Sequence, residues 1–550
     1  MASISSAGIG SGLDIEGIIG SLMAAERIPL SKVKQERTQI NTKISIYGVI
    51  KSSLSQLQTA AQKLTSVSNL NPLKATSTDD KLISATASSA SAKGTYNISV
   101  SQLAKAQSVA APSVASNDTA IGTGSLTITL GSYNAGTNTF TDNASKTPVT
   151  INIGPGQQTL EGIKQAINDA NVGVNASIVN DGSGSRLVLT SKDTGEVNGF
   201  KLTATDDDGN NTDTAGLSML AFDPTATAGA GKNAQSLQVA QNANFTINNL
   251  AVTKASNNVT DAVEGLTLNL KNVTTSPVTV TVGLDSDTLQ KTLNDFVTAY
   301  NKIRGNLKDQ QEKDATLSRE TTPASLERQM RSILRETVAQ YGVGLSDVGL
   351  NFDKDGVLSL NKTKLDEALV KDPAMLEKIF SNTATTSDSR VKYLGSTSKT
   401  VEGTYAINIS TAYDGTNTIA GTINGVNGVG VANTLRGPSG DPSEGLEFSV
   451  AQGASGNMGT ITFSKGLAKR LDEWIGMLSE EGGALASRTE GLNSRLKRLD
   501  DQEGRINLRL EQVEKRYRAQ FTALDTMLAS MQQTSSYLSR QLAALNQNNR

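Results

Sequence analysis

An apolar seam near each end of the chain, spaced for helices that lie against a partner, constrains this sequence more than any other feature. Toward the C-terminus, Leu492, Leu496, Leu499, Glu503, Ile506, Leu510, Val513 and Tyr517 step by alternating fours and threes. Phe521, Leu524, Leu528, Met531, Ser535, Leu538, Leu542 and Leu545 continue the pattern. Such a series draws one stripe along a helix, and a stripe needs a second surface to cover it. Consecutive steps of four at Val513, Tyr517 and Phe521 join the two series, a stutter that locally unwinds a supercoil. The run predicts a helix of about 80 Å. Arg495, Lys497, Arg498, Arg505, Arg509, Glu511, Glu514 and Lys515 fall on its other faces. They read as a solvated coiled-coil surface, since interleaved acids break up any stripe for nucleic acid.

The N-terminal end repeats the theme. Residues 1–14 are small and polar, with Gly8, Gly10 and Gly12 among them. Leu13 then leads into Ile15, Ile18, Ile19, Leu22 and Met23 at helical spacing. Pro29 marks a break or a new first turn. Beyond it, Leu30, Val33, Arg37, Ile40, Ile44, Tyr47, Lys51, Leu54, Leu57, Ala61 and Leu64 form a seam with two charged interruptions. As a helix it spans about 50 Å, and Asn71-Pro72 ends it.

Between the seams the pattern changes to short alternating runs bounded by Gly, Asn and Asp. Thr95–Ser101, Ser125–Leu130, Val149–Ile153, Arg186–Thr190, Leu266–Leu270 and Val278–Val282 read as antiparallel strands. Leu160–Ala170, Thr288–Leu307, Ser325–Tyr341 and Lys362–Phe380 read as helices. Four elements recur in order. Gly94-Thr95-Tyr96-Asn97-Ile98, Thr246-Ile247-Asn248, Glu264-Gly265-Leu266 and Val278-Thr279-Val280 make the first copy. Gly403-Thr404-Tyr405-Ala406-Ile407, Thr422-Ile423-Asn424, Glu444-Gly445-Leu446 and Ile461-Thr462-Phe463 make the second. We read a β module used twice, the first copy interrupted by an inserted domain.

The fold expected is α+β and multidomain, with long terminal coiled-coil helices, a helical middle layer, and outer antiparallel β domains nested as insertions. Residues 1–70 and 483–550 are expected to form terminal helical legs. Residues 71–93, 284–392 and 466–482 are expected to form a helical head base. A β domain is placed at 94–131 and 236–283, an inserted β-rich domain at 132–235, and an additional β domain, duplicating the first, at 393–465.

Composition narrows the chemistry. With no His and no Cys among 550 residues, disulfides, Cys/His zinc sites and Ser-His-Asp triads are excluded. Lys and Arg number 51 against 53 Asp and Glu, a balance that favours neither nucleic acid nor an anionic membrane. Aromatics make up 4%, so cores are expected to be small and aliphatic. No apolar run approaches the ~20 residues that span a bilayer, and Met1–Asp14 lacks the basic and apolar regions of a cleavable secretory signal. Gly8-Ile9-Gly10-Ser11-Gly12 follows no strand and is not a phosphate loop. Asp206-Asp207-Asp208-Gly209 lacks the carboxylates an EF-hand needs at its first and last places, Ala204 and Ala215, and reads as a solvated turn. Trp474 lies beside Leu471, Ile475 and Leu478 on a helix, where packing is its expected role. No catalytic residue, cofactor or metal is assigned.

Several segments together resemble one family. Gly8-Ile9-Gly10-Ser11-Gly12-Leu13-Asp14, then Leu22-Met23-Ala24-Ala25-Glu26-Arg27 and Pro29-Leu30, resemble the N-terminal signature of flagellar hook-associated protein 2. Gly94-Thr95-Tyr96 through Gln102-Leu103-Ala104 resembles the start of that family's outer β domain. Thr159-Leu160-Glu161-Gly162-Ile163, with Ala166-Ile167-Asn168, Ala176-Ser177-Ile178 and Ser185-Arg186-Leu187, resembles its flagellin/hook "IN" motif, within 132–235. Ser487-Arg488-Thr489-Glu490-Gly491-Leu492, Leu524-Asp525 and Ser535-Ser536-Tyr537-Leu538 resemble its C-terminal helix. Residues 393–462 depart from the simplest family pattern.

The resemblance implies a non-enzymatic, secreted cap at the distal end of the bacterial flagellar filament, which promotes folding and insertion of exported flagellin and prevents its loss. It implies a ring homo-oligomer, a pentamer by the common family pattern, with flagellin, hook-filament junction proteins and a cytoplasmic export chaperone as partners, and type III export. Leu13, Ile15, Ile18, Ile19 and Leu22, with Leu524, Leu528, Leu538 and Leu542, are the residues we expect to anchor the legs to filament or junction subunits. The competing reading is a surface adhesin, β modules on a coiled-coil stalk, with host surface glycans as ligand. Neither reading involves nucleic acid or membrane insertion.

Overall fold

The computed structural model describes residues 14–338 and 340–547. Two compact units emerge. One holds the chain up to Leu70 and from Leu289 onward; the other holds Asn71–Thr288.

In the first unit, helix α1 (Ile15–Glu26) starts at Asp14, whose Oδ1 accepts the Gly17 N–H at 2.9 Å. A side-chain acceptor at that place satisfies one of the free amides of the first turn. Helix α2 (Ile28–Lys63) follows, with Pro29 in its first turn, where no N–H is needed. The proline therefore opens a helix, and the short α3 (Val67–Leu70) closes the segment.

The second unit contains a single long-sided β module and its insertion. Five strands run in the order Leu73–Ser77, Val278–Leu284, Gly94–Gln102, Ala243–Ile247 and Leu250–Lys254. Asn258–Val263, Leu266–Leu270 and Ile83–Ala87 form a second sheet. Ile83, Ile98, Val100, Phe245, Leu268 and Val280 fill the core shared by the two. Residues 71–93 were expected in a helical base, and the structure corrects this. They supply two strands whose five-residue sequences, LKATS and ISATA, carry too few large apolar side chains to stand out.

The inserted domain also begins earlier than residue 132. Ser108–Ala110 pairs with Ser185–Ser191, and Gly124–Asn134 pairs with Gly199–Asp206. Val109, Leu126 and Ile128 thus join the core that contains Leu160, Ile163, Leu189 and Phe200. Helix α4 (Leu160–Ala170) is capped by Thr159 and lies on the strand Val174–Asn180. Asn168 fixes that contact, donating to the Ala176 carbonyl at 2.9 Å and accepting the Ala176 N–H at 2.8 Å. Asp206, first of the three consecutive aspartates, accepts the Ser218 N–H at 2.9 Å and so acts as a turn carboxylate.

Back in the first unit, α5 (Ser286–Asp309) buries Leu293, Phe296, Tyr300, Ile303 and Leu307. Helix α6 (Thr322–Arg335) is shorter than the expected 325–341, because Glu336 is extended and Val338 pairs back with Val343. The expected helix 362–380 is two, α7 (Lys362–Lys371) and α8 (Met375–Phe380). Pro373 forces the split, since the residue before proline is driven out of the helical region; Asp372 is extended. Helix α9 (Leu467–Ser479) packs on α2, α6 and α8. Trp474 is buried there and donates Nε1–H to Gln329 Oε1 at 2.8 Å. Helix α10 (Ala484–Gln547) is one helix of 64 residues, about 96 Å long.

A second β module sits in this unit. Thr383–Thr386, Gly456–Ser464, Gly403–Thr411, Ala420–Ile423 and Val426–Asn427 form its five-stranded sheet. Strand for strand, this is the chain order of the first module. Residues 383–392, expected in the helical base, instead supply the edge strand Thr383–Thr386 of this sheet and the start of Val391–Gly395, which pairs with Glu447–Val450 in a second sheet. Small bonds recur too. Asn248 accepts the Asn97 N–H at 2.9 Å and donates its own N–H to the Asn97 carbonyl; Asn424 does the same with Ala406. Both asparagines are left-handed, at φ 46° and 49°, a conformation asparagine tolerates better than most residues. Ser91 Oγ accepts the Ser88 N–H, and Thr400 Oγ1 accepts the Thr397 N–H, both at 3.1 Å.

Candidate assembly surface

The terminal helices build the surface. Helix α10 runs antiparallel to α1 and α2, and its ion pairs record the register. Arg518 meets Glu16 at 2.6 Å, Arg509 meets Glu26 at 3.2 Å, and Arg495 meets Glu36. As the position on α10 falls, the partner's position rises. Exposed pairs of this kind contribute a few tenths of a kcal/mol each, so their role is alignment more than adhesion. The adhesive part is apolar. Ile15, Ile19 and Met23 are buried with Leu510 and Val513, and Leu30, Ile506, Tyr517 and Phe521 pack around them.

One buried carboxylate pins the root of this hairpin. Glu320, between α5 and α6, accepts from Lys43 Nζ at 2.8 Å, Tyr47 Oη at 2.6 Å and Arg488 Nη2 at 2.7 Å. Burial pushes its carboxyl up, but the hydrogen bonds from Arg488, Lys43 and Tyr47 outweigh this and hold it down to about 2. Nothing in the local sequence marked Glu320. Its partners lie on α2 and α10, far away along the chain.

Past Phe521 the seam becomes progressively exposed. From Ser530 to Ala544 every side chain is exposed. Leu524 is 41% exposed, Met531 58%, Leu538 54% and Leu542 63%, and Leu528 is half-buried. The expected anchors therefore divide. Leu13 lies outside the described residues. Ile15 and Ile19 are already buried against α10 of the same chain, so they are not free to grip a neighbour. Ile18 and Leu22 face outward. Met527 and Tyr537, which the seam reading left out, are exposed as well.

Among the described residues, no helix is long and apolar enough to cross a membrane, and no cluster of acidic, His or Cys side chains could hold a metal ion. A two-armed helical hairpin with one arm overhanging, combined with β modules, defines an α+β multidomain protein whose conspicuous feature is an exposed apolar stripe on one helix. Comparison with known proteins agrees. Residues 11–107 match the flagellar hook-associated protein 2 N-terminus, residues 240–533 match the flagellar hook-associated protein 2 C-terminus, and residues 126–193 match the flagellin hook IN motif. The chain belongs to the flagellar hook-associated protein 2 family. It is 30% identical to flagellar hook-associated protein 2 of Escherichia coli (strain K12), over 98% of each chain. It is 27% identical to the A-type flagellar hook-associated protein 2 of Pseudomonas aeruginosa, over 98% of this chain and 97% of the relative. The crystal structure of the flagellar cap protein FliD D1-D2-D3 domains from Escherichia coli aligns with a TM-score of 0.56 and 26% identity, over 82% of this chain and 99% of that one.

Proposed function

We propose that this chain is a filament cap at the distal end of the bacterial flagellum. Copies form a ring, a pentamer in the family pattern, that confines exported flagellin while it folds and inserts, and prevents its loss. The overhanging half of α10 carries this reading. A helix with no tertiary partner is marginal in water, and an uncovered apolar stripe of this length marks a binding face. Filament and hook-filament junction subunits supply the partner after assembly. A cytoplasmic export chaperone covers the same stripe before type III export. The β modules, two copies of one fold with residues from Ser108 to Gln238 inserted in the first, form the body of the cap.

The test is a full-length variant carrying Leu524→Asp, Leu528→Asp, Leu538→Asp and Leu542→Asp. Expected are loss of filament growth and flagellin spilled into the medium, with the circular dichroism of the β modules unchanged. Filaments of normal length in this variant would end the proposal. A surface adhesin would give a different pattern, with glycan binding retained and filament growth untouched.

A further inference from the structure

The chain has nine methionines and no cysteine, so thioethers are its sulfur chemistry. Their placement is uneven. Met23, Met330 and Met458 are buried at 3%, 0% and 1% exposure, and Met219 and Met375 are half-buried. Met477, Met527 and Met531 are exposed, at 61%, 61% and 58%; Met1 lies outside the described residues. Two of these three exposed thioethers sit one helical turn apart on the uncovered part of α10, beside Leu524 and Leu528.

We propose that Met527 and Met531 form an oxidation site on the assembly face, at which a peroxide-class oxidant switches off docking of the unassembled chain. This rests on the stripe being the docking surface. A lone pair on Sδ attacks one peroxide oxygen, the O–O bond breaks, and the sulfur keeps that oxygen as a sulfoxide. The thioether loses two electrons, and the other peroxide oxygen leaves as hydroxide, which takes the proton of the transferred oxygen and departs as water. Each sulfoxide puts a polar, chiral oxygen where an apolar contact was to form. Docking would then bury that oxygen without a hydrogen bond, which disfavours the complex. Methionine sulfoxide reductases reverse the change. The sulfurs are covered once α10 is docked, as they are under the export chaperone, so the switch acts on the free chain between those two states.

The test uses full-length protein and hydrogen peroxide. Peptide mass mapping should find Met477, Met527 and Met531 oxidised about tenfold faster than Met23, Met330 and Met458, following exposure. With both α10 sulfoxides complete, binding to the tips of purified flagellar filaments should fall about tenfold, by roughly 1.4 kcal/mol. A Met477→Leu protein should show the same fall. A Met527→Leu/Met531→Leu protein, compared with its own untreated state, should show none. Undiminished tip binding by the doubly oxidised protein would overturn the proposal, as would an equal fall in the double-leucine protein. An untreated Leu538→Asp/Leu542→Asp protein separates the two claims. If it binds tips normally, the stripe is not the docking surface and both claims fall. If it does not bind but the sulfoxide protein does, only the oxidation claim falls.

Discussion

Arg37 on α2 and Glu503 on α10, each a charge set into a largely apolar seam, meet across the helical hairpin at 3.2 Å. Asp500 takes the Arg37 Nε–H at 2.9 Å, and Lys34 lies 3.7 Å from Glu503. A lone charge in a seam weakens it, whereas two opposed charges at one level set its register. A one-heptad slip would leave both facing leucine-type positions. The reversal Arg37→Glu should destabilise the free protein by about 1 kcal/mol. Adding Glu503→Arg should recover part of that loss, since Asp500 still faces the pair. A double-mutant cycle by thermal unfolding gives the coupling, and it should shrink in high salt.

Glu320 predicts an acid dependence. Its carboxyl is held down to about 2 in the folded protein, against about 4.3 for an unperturbed glutamate. A depressed folded value means the stabilisation is fully present above the unfolded value and fades as pH falls from about 4 through about 2. Glu320→Gln should remove this slope and cost about 2 kcal/mol at neutral pH, a modest figure because Lys43 and Arg488 can still reach water. Urea unfolding at a series of pH values checks both parts. A variant with the wild-type slope would show that the three donors do not act on this carboxylate.

These two relationships show what was legible in the chain. Periodicity gave the stripes, because helical spacing is local. It marked Arg37 and Glu503 as interruptions, yet could not pair them, because antiparallel register depends on where each helix begins. The same blindness hid the division of the anchors. Ile15 and Ile18 look alike in sequence, and only the position of α10 makes one buried and the other exposed. Strands 73–77 and 83–87 do not stand out because LKATS and ISATA carry few large apolar side chains, so only their distant partners, Val278–Leu284 and Leu266–Leu270, reveal them. The repeat was readable because its turn residues are chemically demanding.

Asn248 and Asn424 allow that last point to be measured. Each combines a left-handed backbone with an acceptor for a neighbouring strand's N–H. Asn→Gly keeps the conformation and loses the acceptor, a cost of about 1 kcal/mol. Asn→Ala loses the acceptor and adds about 1–2 kcal/mol of left-handed strain. The gap between alanine and glycine variants should be the same at both positions, read as shifts in the urea midpoint of the full chain. A gap at one site and none at the other would mean the two turns are alike in geometry but not in load.

The overhang of α10 makes the last prediction, and it concerns motion. Up to Phe521 the helix is held by Ile15, Ile19 and Met23, so its amides open only when that packing is lost. From Ser530 to Ala544 no side chain is buried, and helix formation there depends on propensity alone, which is marginal for a segment of this size. Amide hydrogen exchange in the free full-length protein should therefore run about a hundredfold faster over residues 530–544 than over 505–517. The contrast arises because tertiary contacts, not backbone hydrogen bonds, carry most helical stability in water. Binding to filament tips should slow the distal amides toward the proximal rate, because the partner then supplies the burial that offsets the ordering of the helix. Distal amides that exchange as slowly as proximal ones in the free protein would mean that the stripe is already covered, and the filament would have nothing left to bind.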